Sequence, residues 1–151
     1  LRLISTKGGM RMANNLESQI KALFSIQRRV QAQLGFYRIQ EAYNLQSITN
    51  DATNYVRRLQ CFILGSHSLL LILSEEEALL IELHLVKGLK WESTIYEYEK
   101  KYPFEMGTNK RTYMNRQQSA IRKIADYVTS YSDRFDFSWL QDPLINDLTV
   151  A

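Results

Sequence analysis

The chain holds 151 residues with 45% apolar side chains, 6 Gly and 2 Pro, which is enough apolar material for one sizeable core and excludes a collagen-like or low-complexity chain. Its single cysteine, Cys61, excludes an internal disulfide framework and a multi-thiolate zinc site, and fits a reducing cytosol. The net charge of +3 conceals a segmental asymmetry: residues 1–73 carry 9 basic and 3 acidic side chains, 74–106 carry 4 and 8, 107–123 carry 5 and none, and 124–151 carry 1 and 5. A purely cationic block between two acidic ones is what a polyanion-binding surface needs, with chance clustering as the plain alternative.

The chain opens on Leu1 rather than Met, so residues 1–12 read as a disordered extension with Met10 or Met12 as the start. Only Leu3-Ile4 is apolar there, far short of a signal peptide. The most apolar stretch, residues 61–73, is interrupted by Gly65, Ser66, His67 and Ser68 and is too short to span a bilayer. A cytoplasmic protein without membrane contact is expected. Leu16, Ile20, Leu23, Gln27, Val30 and Leu34 step by 4, 3, 4, 3, 4, a helical repeat close to a coiled-coil seam and broken only by Gln27. Residues 16–34 therefore suit either a homodimer seam or packing within one chain. Gly35 ends or loosens this helix, and Phe36, Ile39 and Tyr43 resume the spacing.

Thr49-Asn50-Asp51 is a run of N-cap residue types leading into Ala52, Tyr55, Val56, Leu59, Phe62 and Ile63, with an end expected at Gly65. Residues 13–73 thus form an N-terminal helical region. The Val/Ile content of 61–73 leaves a short strand open, but no second strand exists to pair with it, so the fold class is all-α. Ser74-Glu75-Glu76-Glu77 reads as a capping box with three carboxylates at the positive helix end, a better account of the acidic triplet than a metal site. That helix is expected to turn Ala78, Leu79, Leu83 and Val86 inward and to stop at Gly88 as a left-handed C′ residue. Trp91, Ile95, Tyr98 and Tyr102 mark a second helix that ends before Pro103. Thr108 or Asn109 then caps a third, running to about Thr129.

In this third helix Tyr113, Gln117, Ile121, Ile124 and Val128, with Ala120 and Ala125 beside them, form a mostly apolar stripe. Arg111, Asn115, Gln118 and Arg122 form a polar face without an acid. Arg reaches guanine O6/N7, and Asn or Gln reaches adenine N6/N7, with two parallel bonds, so these four are candidate base contacts in a major groove. Lys110, Thr112, Arg116 and Lys123 flank them as candidate phosphate contacts that set register. A solvated amphipathic helix is the bland alternative. Three helices in this order, with a cationic third, meet the helix-turn-helix description over residues 74–129.

The residues Leu73-Ser74-Glu77, Gly88, Trp91, Thr112-Arg116 and Ala120-Ile121-Lys123-Ile124 carry a resemblance. Over about 55 residues the segment resembles region 4 of sigma-70-type factors, and is similar to small phage-encoded transcriptional regulators of the autolysin-regulator and late-gene-activator types. It departs from that pattern at Ser93-Thr94-Ile95-Tyr96, where the family has Glu-Ile-Ala, and in a longer stretch over 101–107. The resemblance implies sequence-specific binding of double-stranded DNA near a promoter, regulation of transcription, and RNA polymerase as a partner. A helical adaptor or inhibitor of another protein, without DNA contact, is the rival.

No other motif in the sequence is expected to carry chemistry. Cys61, His67 and His84 match no recurring zinc spacing, and Cys61 in an apolar helical run suits packing better than nucleophilic attack. Gly8-Gly9 follows no strand, and the pairs Glu97/Glu99 and Asp133/Asp136 read as surface charge. No enzyme activity, metal or cofactor is expected. The tail, residues 130–151, interleaves Phe135, Phe137, Trp139 and Leu140 with Asp133, Asp136 and Asp142, a composition that either docks on a partner or folds back to finish the core.

Overall fold

The computed structural model describes residues 6–43 and 50–150, with side chains from 15 to 43 and 51 to 150. Among these residues every regular element is helical, as the repeat spacing predicts, and no helix is long and apolar enough to cross a membrane. Helix α1 spans Thr6–Ser25 and α2 spans Gln27–Ala42. The stretch from Thr6 onward, expected as part of a disordered extension, is helical, and in the sequence Met12 stands four residues before Leu16, in step with the apolar repeat. Residues 1–5 lie outside the described residues.

The interruption falls at Ile26, with φ −91° and ψ −2°, rather than at Gly35, which sits inside α2 with open space around it. Gln27, the polar break in the apolar repeat, is buried. Its Nε2 donates to the carbonyls of Leu23 at 2.8 Å and Phe62 at 3.3 Å, which satisfies the amide in the core. Ile20, Leu23, Val30 and Leu34 are only 0–3% exposed, packed within the one chain. The seam from Ile20 to Leu34 is therefore taken up by packing within one chain, with Leu16 half-buried at its start.

Helix α3, Asn50–Leu70, lies against α2 and runs straight through Gly65. A Cβ there would stand 2.2 Å from the Trp139 ring, so this glycine marks close packing and not a helix end. The cap expected at Thr49 lies outside the described residues, and Asn50 is already the first helical residue.

Helix α4, Glu75–Ile81, opens with the expected capping box: Ser74 accepts from the Glu77 backbone N–H at 3.2 Å, and the Glu77 carboxylate accepts from Ser74 N–H at 3.0 Å. It continues as a π turn over Glu82–Val86 and stops at Gly88, with φ +69°. The wider turn shifts the helix faces away from simple 3.6-residue spacing. Leu80, Ile81 and Leu83 are buried, whereas Ala78, Leu79 and Val86 are only half-buried.

Helix α5 spans Trp91–Lys101, a 3-10 turn follows at Pro103–Glu105, and α6 spans Lys110–Ser130. The tail folds back on α1 through a 3-10 turn, Ser138–Gln141, and helix α7, Pro143–Val150, burying Leu140, Leu144, Ile145 and Leu148. Asp142 caps α7 by accepting from Leu144 N–H at 3.0 Å, and its carboxylate also takes the Arg58 guanidinium of α3. The Arg58 hydrogen bond holds the Asp142 carboxyl below its usual range. The apolar side chains form two clusters. The larger surrounds α1, and the smaller joins Leu80 and Leu83 to Tyr98 and Tyr113 between α4, α5 and α6.

Candidate nucleic-acid interface

Helix α6 starts at Asn109, whose side chain accepts from the Thr112 backbone N–H at 2.9 Å, an N-cap of the expected kind. Its inward face is the predicted stripe: Tyr113, Gln117, Ala120, Ile121, Ile124, Ala125 and Val128 are all buried. Tyr113 belongs to the small cluster, packs edge-on against Tyr98, and donates its hydroxyl to Glu99 at 2.7 Å. Burial and that hydrogen bond push its phenol up to about 12. Gln117 accepts from His84 Nδ1 at 2.8 Å, and the His84 ring stacks on Trp91 with centroids 3.9 Å apart. Burial lowers the His84 pKa, against the raising effect of the Gln117 bond. The N-terminal half of α6 is thus seated on a packed platform, within which the buried Tyr102 hydroxyl has no hydrogen-bond partner among the described residues.

The outward ridge is Arg111, Asn115, Ser119 and Arg122, all exposed. Arg111 and Asn115, one turn apart, make no hydrogen bond or ion pair among the described residues. The other base-contact candidates meet α1: Gln118 Nε2 donates to Glu17 Oε1 at 2.8 Å, and Arg122 Nε lies 3.9 Å from the same oxygen.

The phosphate-contact candidates are also engaged. Lys110 pairs with Glu92 at 3.5 Å and Lys123 with Glu77 at 2.8 Å. Arg116 pairs with Glu105 at 3.0 Å and lies over the Tyr113 ring. It lines a recess of about 470 Å³ with Glu76, Glu77, Glu105 and Asn115. The Thr112 hydroxyl donates to Asn109 in the cap. Burial alone would raise the Glu77 carboxyl, but hydrogen bonds from Lys123 and Ser74 hold it below its ordinary value.

The polar face of α6 is free of acids along its own sequence but not in space. Glu17, Glu77, Glu92 and Glu105 arrive from other segments and neutralise much of the cationic block. The Lys110–Glu92 pair is exposed at both ends and worth about 0–1 kcal/mol, so a phosphate can compete for Lys110 at little cost, whereas the Glu77 partner of Lys123 is only 20% exposed. Ser119, four residues after Asn115, was open to detection by spacing. Glu17 carried one signal, that it is the only acid in residues 1–40. Elsewhere, His67 is exposed and Cys61 half-buried, and among the described residues no group of three His, Cys, Asp or Glu side chains is arranged to hold a metal ion.

No family model, curated protein or solved structure matches the chain.

Proposed function

We propose that this chain is a sequence-specific DNA-binding regulator of transcription, and that α4, α5 and α6 act as a helix-turn-helix of the sigma-70 region 4 type. The observation that carries the reading is the pair Arg111 and Asn115, exposed and unpartnered on the N-terminal half of a helix seated on its own packed cluster. The N-terminal residues of a recognition helix are the ones that reach base edges, and these two side chains have the donors and acceptors for guanine and adenine. Lys110 and Lys123 exchange their carboxylate partners for phosphates on binding. RNA polymerase at the same promoter is the partner consistent with this role.

The test is fluorescence polarisation of the full chain with random duplexes and with duplexes selected by it, at low and at physiological salt. Wild type binds the selected duplex more tightly, with affinity falling steeply as salt rises. R111A and N115A each reduce discrimination by about 1–3 kcal/mol, whereas K110A weakens all duplexes about equally. Absence of binding to any duplex at low salt overturns the reading. A helical adaptor without DNA contact would then stand, favoured by one observation: carboxylates already pair with Lys110, Arg116, Arg122 and Lys123.

A further inference from the structure

We propose that Glu17 of α1 is a positioning residue that orients Gln118 and Arg122 for base reading, so that sequence preference at the C-terminal half of α6 depends on α1; this rests on the DNA-binding reading above. The N-terminal region is strongly basic, and Glu17 is the only acid in its first 40 residues. That carboxylate lands on the polar face of α6, where one oxygen meets both Gln118 Nε2 and Arg122 Nε. Its backbone is anchored by core residues on the same helix, with Leu16 partly buried and Ile20 fully so.

The depth of the groups separates positioning from masking. The Glu17 side chain is 15% exposed and that of Arg122 is 62% exposed, so the arginine remains mostly open to a ligand while it is paired with the acid. The donor inventory agrees. A glutamine amide has two N–H donors, and Glu17 takes one, leaving the second N–H and the carbonyl oxygen, the pair that adenine N7 and N6 require. Arg122 turns Nε toward Glu17, which leaves both terminal nitrogens for guanine O6 and N7. Long side chains held in one geometry before binding lose less rotamer freedom on binding, and that difference appears as discrimination.

The experiment uses the full chain. A preferred duplex is selected from a random pool with wild type, and its single-base-pair variants are then titrated against wild type, E17A, E17Q, Q118A and R122A. E17A loses about tenfold or more of its discrimination at the base pairs that Q118A and R122A also lose, and keeps it at those read by Arg111 and Asn115. Its affinity for random duplex is unchanged or higher, because one negative charge is gone. In a Q118A/R122A background E17A has no further effect. E17Q retains an acceptor for Gln118 and loses only the Arg122 position. Circular dichroism reports folding, and E17Q alone decides through the Arg122 position if E17A does not fold. Full discrimination in E17A or E17Q overturns the positioning role while leaving the DNA reading in place. So does a gain in both affinity and discrimination, which would make the carboxylate a mask. A wild type that selects no sequence overturns both.

Discussion

Adding one methyl group at Gly65 and one at Gly35 should move stability in opposite directions. Both glycines lie inside helices, and replacing an interior glycine by alanine favours a helix by about 0.5–1 kcal/mol when space allows. At Gly35 nothing stands within 4 Å, so Gly35→Ala stabilises by that amount. At Gly65 the new carbon would meet three Trp139 ring atoms at 2.2, 2.6 and 2.6 Å, well inside van der Waals contact. Either the indole leaves its place or α3 shifts. Overpacking of this kind costs about 1–3 kcal/mol, and a displaced tryptophan forfeits burial of similar worth. The clash exceeds the helix gain, leaving Gly65→Ala destabilised by about 1 kcal/mol and at most about 2.5 kcal/mol. For a chain of this size each kcal/mol shifts Tm by about 2–4 °C, so thermal melting and urea titration resolve the two variants from wild type. A Gly65→Ala protein as stable as wild type would refute the close approach of Trp139 to α3, and a loss of stability in Gly35→Ala would refute the open surroundings of that glycine.

Two further outcomes test the platform beneath α6. Ser74→Ala removes the hydroxyl half of the capping box and lowers stability by about 1 kcal/mol in urea titration; no change would deny the cap its role. Burial places the folded-state pKa of His84 below its ordinary value of about 6.5, so the unfolded chain takes up this proton first as pH falls. Stability is then level above about pH 6.5 and declines from there down through the folded-state value. His84→Gln removes that part of the decline in melting curves recorded from about pH 8 to about pH 5, and an unchanged curve would contradict it.

Local patterns were legible in the sequence where neighbours along the chain decide the outcome. The Ser74–Glu77 capping box, the stop at Gly88, the Asn109 cap and the apolar stripe from Tyr113 to Val128 all depend on residues within a turn or two of one another. Where distant segments decide, the pattern misleads. Gly65 reads as a terminator until Trp139, from the tail, is seen against it. Gln27 reads as a flaw in a dimer seam until the Phe62 carbonyl is found opposite it. The π turn at Glu82–Val86 breaks the 3.6-residue period beyond Ile81, and Val86, expected to face inward, is only half-buried. On the candidate interface, Arg111 and Asn115 stand free as spacing alone suggests, but the partners of Gln118, Arg116 and Lys123 come from α1, the Pro103–Glu105 turn and α4.

Helix α6 passes without interruption from the small cluster, through Tyr113, into the large one, through Ala120, Ile121 and Ile124. The capped segment Glu75–Val86 is likewise shared, giving Leu80 and Leu83 to one cluster and Ile81 to the other. Neither cluster can come apart while the other persists without breaking one of these two rods. The two clusters are therefore expected to melt together, with equal calorimetric and van't Hoff enthalpies in a thermal scan, and a second transition would show that one of the rods breaks first.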